Sequence, residues 1–185
     1  MTKQLTIRRQ ADIEACLAKI QTSAELAKAR VQQLAAAMKN PSDFLYQLKF
    51  EEMGCDPLNL SRKLNLIEQL NQTFTYIASF KAAEYLLQSH PPFSVLRLNL
   101  GTTSGWDIQS TENGGLVAEV FAAVNPRNNR KLEKDIEKVA KEKAKHRYVF
   151  FMCPGIGAGP YHEIPVPPGI DVVSVGCEMQ ALTRR

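Results

Sequence analysis

The hydrophobic period of the chain changes at Pro91-Pro92, and this change constrains the fold more than any other feature. Before the two prolines, apolar residues recur every three or four positions, as they do in an amphipathic helix. After them, Ser94 to Leu100 alternates apolar and polar side chains, as a half-buried strand does. Proline ends a helix because it lacks a backbone N–H. The chain therefore predicts long helices followed by a sheet.

The first helix is predicted over residues 10–39, which contain no glycine or proline. Its apolar residues follow a 4,3,4,3 spacing: Ile13, Leu17, Ile20, Ala24, Ala27, Val31, Leu34 and Met38. Such a narrow seam suits contact with one other helix. That partner is either a second copy of the chain, which predicts a homodimer through the N-terminal helix, or a helix of the same chain. The stretch NPSD at residues 40–43 ends this helix and begins a short one.

A second long helix is predicted over about residues 60–89, and one of its faces is small, neutral and polar around a single acid. The residues of this polar stripe are Glu68, Gln72, Thr75 and Ser79, at 4,3,4 spacing. A solvated face usually carries lysines and glutamates. The stripe therefore either lines a site or is merely exposed.

The remaining pattern predicts an α/β fold with a small mixed β-sheet flanked by helices. Three apolar runs with short connections predict an antiparallel meander over residues 94–100, 106–110 and 116–124. A basic helix to about Lys145 leads to a strand at residues 148–152. A strand–helix–strand unit of this length predicts a parallel crossover. A last strand is predicted at residues 171–175.

Two acids lie on neighbouring predicted strands, Asp107 on the second and Glu119 on the third. Glu119 stands in the middle of the apolar run LVAEVFAAV, where a carboxylate is costly to bury unless it is paired or bound to a metal. Mg²⁺ is commonly held by one or two carboxylates with waters and phosphate oxygens. The pair predicts a site for Mg²⁺ or Mn²⁺, where the ion polarises a phosphoryl oxygen and supplies a bound hydroxide.

These motifs resemble a known family. Gly105-x-Asp107-Ile108, then Ala118-Glu119-Val120-Phe121, then a basic helix and an apolar strand, resemble the PD-(D/E)XK nuclease superfamily, which includes type II restriction endonucleases. The resemblance covers about residues 60–152. It implies a restriction-endonuclease-like domain at residues 57–185, behind an N-terminal helical arm at residues 1–56 that is a possible oligomerisation element.

The resemblance also implies roles for individual residues in a metal-dependent DNA endonuclease. Asp107 and Glu119 would be metal ligands and catalytic acids, and Glu68 would be the acid that the preceding helix contributes. The chain departs from the family pattern at Phe121, which stands where a catalytic lysine is expected. Some members supply the basic group from the following helix, so Lys131, or Lys134 close to it, is expected to replace that lysine.

The basic residues are concentrated in one segment. Residues 127–147 hold nine Lys/Arg against four Asp/Glu, an excess of five, in a chain whose net charge is +4. Such a patch attracts the phosphate backbone of DNA. The predicted DNA contacts are Arg127, Arg130, Lys131, Lys134 and Lys138. The other interpretation is a solvated helix face with ion pairs between its own turns.

Three functions are compatible with these patterns. The first is a metal-dependent DNA endonuclease that hydrolyses phosphodiester bonds, with restriction as one form of it. The second is a catalytically inactive DNA-binding or assembly subunit on the same fold, and the third is a protein-interaction domain without a nucleic-acid role. The four cysteines are too scattered for a zinc site. No run approaches the roughly 18 apolar residues of a membrane span, so we expect a cytoplasmic protein without a membrane partner.

Overall fold

The computed structural model describes residues 3–90, 93–101, 104–112 and 115–178. These residues form a mixed α/β protein. Its helices are α1 (Gln10–Ala37), α2 (Pro41–Phe50), α3 (Leu66–Ser89) and α4 (Lys131–Ala140). Its strands are β1 (Gln4–Ile7), β2 (Gly54–Asp56), β3 (Asn59–Leu64), β4 (Leu96–Asn99), β5 (Ile108–Ser110), β6 (Leu116–Ala122), β7 (His146–Met152), β8 (Gly159–Pro160) and β9 (Asp171–Ser174).

The main sheet is mixed and has the strand order β1-β4-β5-β6-β7-β9-β8. Strands β4, β5 and β6 form an antiparallel meander, and β6, β7 and β9 run parallel to one another. The predicted meander and the parallel crossover through the basic helix are therefore confirmed. The prediction of a small sheet is wrong, because β1 pairs with β4 at one edge and β8 pairs with β9 at the other. Seven strands make up this sheet over the described residues.

A separate hairpin precedes α3, where the sequence predicted the first turns of the helix. Strand β3 pairs antiparallel with β2. The Asp56 carboxylate accepts the backbone N–H groups of Leu58 and Asn59 at 2.9 and 3.1 Å, which stabilises the reversal between the two strands. The helix begins only after Asn65, whose side chain accepts the backbone N–H of Glu68 at 2.8 Å.

The two faces of the sheet pack against different helices. Leu116, Ala118 and Val120 of β6 belong to the larger core, which also contains the buried residues of α1 and α3. The intervening residue Phe121 belongs to a second core that contains the apolar residues of α4. Side chains alternate along a strand, so α3 and α4 cover opposite faces. This arrangement decides which predicted site residues can meet.

Helix α1 packs within the chain rather than projecting from it. Ile13 and Ile20 of α1 and Ile7 of β1 are buried in the larger core. The narrow seam of α1 allowed two partners, a second copy of the chain or a helix of the same chain. In the structure, α1 contacts α3 of the same chain. Residues before position 56 thus contribute a strand and a helix to the core of the domain. The homodimer stays a prediction.

The buried side-chain amide of Gln69 connects α3 to α1 and to β2. Gln69 is 2% exposed, and its Nε2 donates to the carbonyl oxygen and the Oγ of Ser23 at 3.0 and 2.7 Å. Its Oε1 accepts the backbone N–H of Cys55 at 3.0 Å. One side chain therefore satisfies polar groups of two other elements.

We expect Gln69→Ala to lower the free energy of unfolding by about 2–4 kcal/mol, because it leaves buried polar groups without partners. Urea denaturation measures the change. Gln88→Ala, at an exposed position of the same helix, is the matched control and should cost less than about 0.5 kcal/mol. Equal costs for the two substitutions would contradict the role of Gln69.

Candidate functional site

The register of β5 and β6 brings Asp107 and Glu119 to neighbouring positions. Ile108 pairs with Ala118 in an antiparallel ladder, so the residue before Ile108 lies opposite the residue after Ala118. Opposed residues on adjacent strands point to the same face. Asp107 Oδ2 also accepts the backbone N–H of Val120 at 2.8 Å, which ties the first acid to the strand that carries the second.

Lys138 of α4 binds Glu119. Its Nζ donates to Glu119 Oε1 at 2.6 Å and to the carbonyl oxygen of Gly105 at 2.9 Å. The same ammonium lies 4.9 Å from the centroid of the Trp106 ring. The side chain of Glu119 is 5% exposed and that of Lys138 is 45% exposed. The lysine thus joins the buried acid to the segment that precedes Asp107, and it stands where the site opens to solvent.

A second ion pair lies beside the first. Lys131 Nζ donates to Asp135 Oδ1 at 2.6 Å, and the Asp135 side chain is 5% exposed. Lys131 also stands 5.7 Å from the centroid of the Phe121 ring. The other carboxylate oxygen, Asp135 Oδ2, is buried and has no hydrogen-bond partner. When all three acids are ionised, they exceed the two lysines of this cluster by one negative charge.

Burial dominates the electrostatics of the acids. Desolvation, followed by the charge of Asp107, raises the pKa of Glu119 to about 7, although Lys138 opposes the shift. Desolvation also raises the pKa of Asp107 and that of Asp135, against the nearby lysines. Near neutral pH, Glu119 is therefore divided between its protonated and ionised forms. A cation at the site would favour the ionised form.

The structure assigns the two helix lysines differently from the sequence-based expectation. Lys131 was expected to replace the missing strand lysine, but it pairs with Asp135, and Lys138 is the residue in contact with Glu119. Phe121, 6% exposed, stacks on Phe151 with ring centroids 6.0 Å apart. Phe121 stands at the strand position where the resemblance predicts a lysine. Its ring packs in the core between β6, β7 and α4.

Glu68 is not brought to the other acids. It is exposed in the first turn of α3, and α3 covers the face of the sheet opposite to α4. Glu119 accepts a hydrogen bond from Lys138 of α4. Glu68 therefore lies on the opposite side of the sheet, where it cannot assist Glu119. The sequence could not show this, because it does not tell on which face a helix packs.

The predicted DNA contacts are divided between two environments. Lys138 pairs with Glu119 of the sheet, and Lys131 pairs with Asp135 of its own helix. Arg127 donates to the carbonyl oxygen of Glu163 at 3.1 Å, and Arg130 lies 3.7 Å from Glu137. Lys134 is exposed, and within the described part of the chain it forms no ion pair. The outward surface of α4 therefore offers fewer basic groups than its composition implies.

Asp135 is the site residue that the sequence interpretation missed. Leu132, Ile136 and Val139 are buried against the sheet, and their helical spacing places position 135 on the same face. A signal was therefore present: an acid interrupts the apolar face of a short helix. Because the segment is basic as a whole, its composition does not distinguish Asp135 from the acids of a solvated helix face.

Comparison of the chain with family models, curated proteins and solved structures found no match. Across residues 3–90, 93–101, 104–112 and 115–178, no three Asp, Glu, His or Cys side chains form a ligand set for one metal ion. In the same ranges, no helix has the length and apolar character needed to cross a membrane.

The raised pKa of Glu119 predicts a pH-dependent stability. Between the ordinary Glu value of 4.5 and about 7, the folded protein holds a proton on Glu119 that the unfolded chain has released. The free energy of unfolding therefore falls as pH rises through this window. Glu119→Gln cannot titrate there. We expect the wild type to lose about 1–3 kcal/mol relative to this variant over the window.

Urea denaturation of both proteins in EDTA, from about pH 4.5 to about pH 8, measures this difference. Asp107 and Asp135 titrate in both proteins, so their contributions largely cancel in the comparison. Stability curves that stay parallel across the window would show that Glu119 keeps an ordinary pKa.

Proposed function

We propose that the protein is a metal-dependent endonuclease that hydrolyses phosphodiester bonds of DNA on a restriction-endonuclease-like domain. The observation that carries the proposal is the contact of Lys138 with Glu119. The family that the sequence resembles places a lysine beside the second acid. Here Phe121 occupies that strand position, and a lysine from the following helix reaches the same carboxylate. The order α3, β4, β5, β6, α4, β7 also agrees with the order that the resemblance implies.

The residues fit a divalent cation by the chemistry of their donors. Asp107 and Glu119 would hold the ion, because Mg²⁺ binds to one or two carboxylates and completes its shell with waters and phosphate oxygens. The excess negative charge of the cluster and the unpartnered oxygen of Asp135 favour a cation nearby. When bound, the ion supplies charge stabilisation and an activated water.

The side chains of the chain supply orientation and positive charge. Lys138 keeps its ammonium at the opening of the site, where a phosphate oxygen can accept a hydrogen bond from it. Trp106 lies beneath this ammonium and limits the directions in which it can move. Lys131 holds Asp135, so that the second lysine stabilises the acidic cluster without contacting Glu119.

A second candidate function is a DNA-binding or assembly subunit without catalysis. It is favoured by one observation: Glu119 is 4% exposed and already has a lysine partner. An ion pair that is already complete needs no ligand, and its role would then be to fix the packing of α4 on the sheet. Under this proposal, DNA would contact the outward basic residues such as Lys134, and the acids would have no ligand role.

Catalysis predicts metal-dependent plasmid cleavage that depends on two residues. In Mg²⁺ or Mn²⁺, we expect Glu119→Gln and Lys138→Met each to slow cleavage by about 100-fold or more, because the first removes a ligand of the ion and the second removes positive charge at the reacting phosphate. Gel analysis of nicked and linear plasmid measures the rate. Lys141→Met, an exposed lysine directly after the same helix that is not among the predicted DNA contacts, is the matched control and should cleave as the wild type does. Intact plasmid in both metals, with a folded wild-type protein, would overturn catalysis.

The binding-only function predicts a different pattern. DNA affinity in EDTA should fall steeply with salt, and Lys134→Met should reduce the slope of log K against log salt by about 1. Glu119→Gln should leave that slope unchanged, because the acid does not meet DNA. Fluorescence anisotropy with a labelled duplex measures both quantities. Absence of DNA binding at low salt would leave the protein-interaction domain as the remaining hypothesis.

A further inference from the structure

A cavity of about 240 Å³ lies between α3, β3 and the first residues of the described chain, away from the carboxylate site. Its polar lining consists of Lys3, Arg62, Asn71, Gln72, Thr75 and Tyr76. Two of these side chains are cationic, and within the described part of the chain no acidic side chain lines the cavity. Gln72 and Thr75 belong to the neutral polar stripe of α3 that the sequence singled out.

The buried carboxylate of Asp56 sets the two cations side by side. Asp56 is 1% exposed. Its Oδ1 accepts from Lys3 Nζ, and its Oδ2 accepts from Arg62 at 3.3 Å. The two backbone N–H groups of the β2–β3 reversal complete its hydrogen bonds. Asp56 lies behind the cavity wall rather than in it. Two cations against one acid leave a single positive charge facing the cavity.

Helix α3 adds hydroxyl and amide groups to this charge. The hydroxyl of Tyr76 donates to Gln72 Oε1 at 3.2 Å, and Lys3 Nζ lies 3.5 Å from the same hydroxyl and 4.8 Å from the ring centroid. The Lys3 ammonium is partly removed from water, and this burial lowers its pKa although the hydrogen bond and the charge of Asp56 oppose the shift. One net positive charge beside the amide and hydroxyl groups of Asn71, Gln72 and Thr75 suits an anion with several acceptor oxygens.

We infer that this cavity binds a phosphate group, carried either by a free nucleotide or by a nucleic-acid strand. Its volume corresponds to about eight waters at about 30 Å³ each, which accommodates a phosphate with part of its sugar. It is smaller than the pockets of about 300–1,000 Å³ that enclose drug-sized ligands. The inference does not rest on the proposed nuclease activity, because the cavity residues make no described contact with Asp107 or Glu119.

The cavity and the carboxylate site nevertheless lie at the same end of the sheet. The backbone N–H of Leu100 donates to the carbonyl oxygen of Lys3, and that of Asn99 donates to the carbonyl oxygen of Asp107. Lys3 and Asp107 are therefore separated by two strand spacings, about 10 Å in the hydrogen-bonding direction. The cavity lies on the α3 side of the sheet and the two acids face α4, so a nucleic-acid strand bound at the cavity would reach the carboxylate site only around this end of the sheet.

Two substitutions test the cavity without removing a partner from the buried Asp56–Lys3 pair. Arg62→Met removes a cation whose side chain is 46% exposed, and Asp56 keeps its bonds with Lys3 and with the two backbone N–H groups. Asn71→Glu adds an acid at an exposed lining position. Lys63→Met, the exposed neighbour on β3 that does not line the cavity, is the matched control. All proteins also carry Glu119→Gln and are measured in EDTA, so cleavage cannot contribute to the result.

The probes are inorganic phosphate, adenosine 5′-monophosphate and a short DNA oligonucleotide, added during NMR titration of the backbone amides of Thr75 and Tyr76. We expect both cavity variants to weaken binding by at least about tenfold and Lys63→Met to leave it unchanged. Saturable shifts with phosphate or the nucleotide indicate a free ligand. Shifts with the oligonucleotide alone, with a salt slope lowered by about 1 in Arg62→Met, indicate a nucleic-acid strand.

Two results would overturn the inference. One is a folded protein whose Thr75 and Tyr76 amides respond to none of the three probes at low salt. The other is binding that Arg62→Met and Asn71→Glu weaken no more than Lys63→Met does. Either result leaves the plasmid-cleavage test unaffected, because that test concerns different residues and requires a metal.

Discussion

The carboxylate of Glu119, in the middle of the central strand β6, determines how one face of the sheet is packed. Glu119 is 4% exposed between apolar neighbours, and an ionised acid there is stable only with a partner. Helix α4 supplies that partner while burying Leu132, Ile136 and Val139 against the same face. The helix is therefore held against the sheet by apolar packing and by the ion pair of Lys138 with Glu119. The opposite face packs α1 and α3 through the larger core.

The elements with strong local patterns could be predicted from the sequence, and those defined by distant partners could not. Helices α1 and α3 have a clear apolar period, and strands β6 and β7 are nearly continuous apolar runs. Strand β1 has four residues, and its identity depends on β4, since Gln4 pairs with Asn99. Nothing near Gln4 indicates that partner. Strand β3 has exposed residues at five of its six positions, so it lacks the alternation that marks a half-buried strand.

The site shows the same division between local and tertiary information. Strand alternation sufficed to place Asp107 beside Glu119, because the period of a strand is short and regular. The choice between Lys131 and Lys138 depends on which turn of α4 lies over Glu119. Two residues before the helix, Asn129 and Arg130, adopt left-handed φ values of 53° and 54°. These values redirect the chain and delay the start of the helix to Lys131, a detail that composition does not reveal.

The position of the lysine has a consequence for how the site is maintained. An acid and a lysine two residues apart on one strand stay together as long as the strand exists. Glu119 and Lys138 are nineteen residues apart and belong to separate elements. Their contact exists only while α4 is docked, so every residue that anchors or redirects α4 influences the pair from a distance. Substitutions in the connection to α4 can thus weaken or break the contact between Lys138 and Glu119 by degrees, while Asp107 and Glu119 themselves remain unaltered.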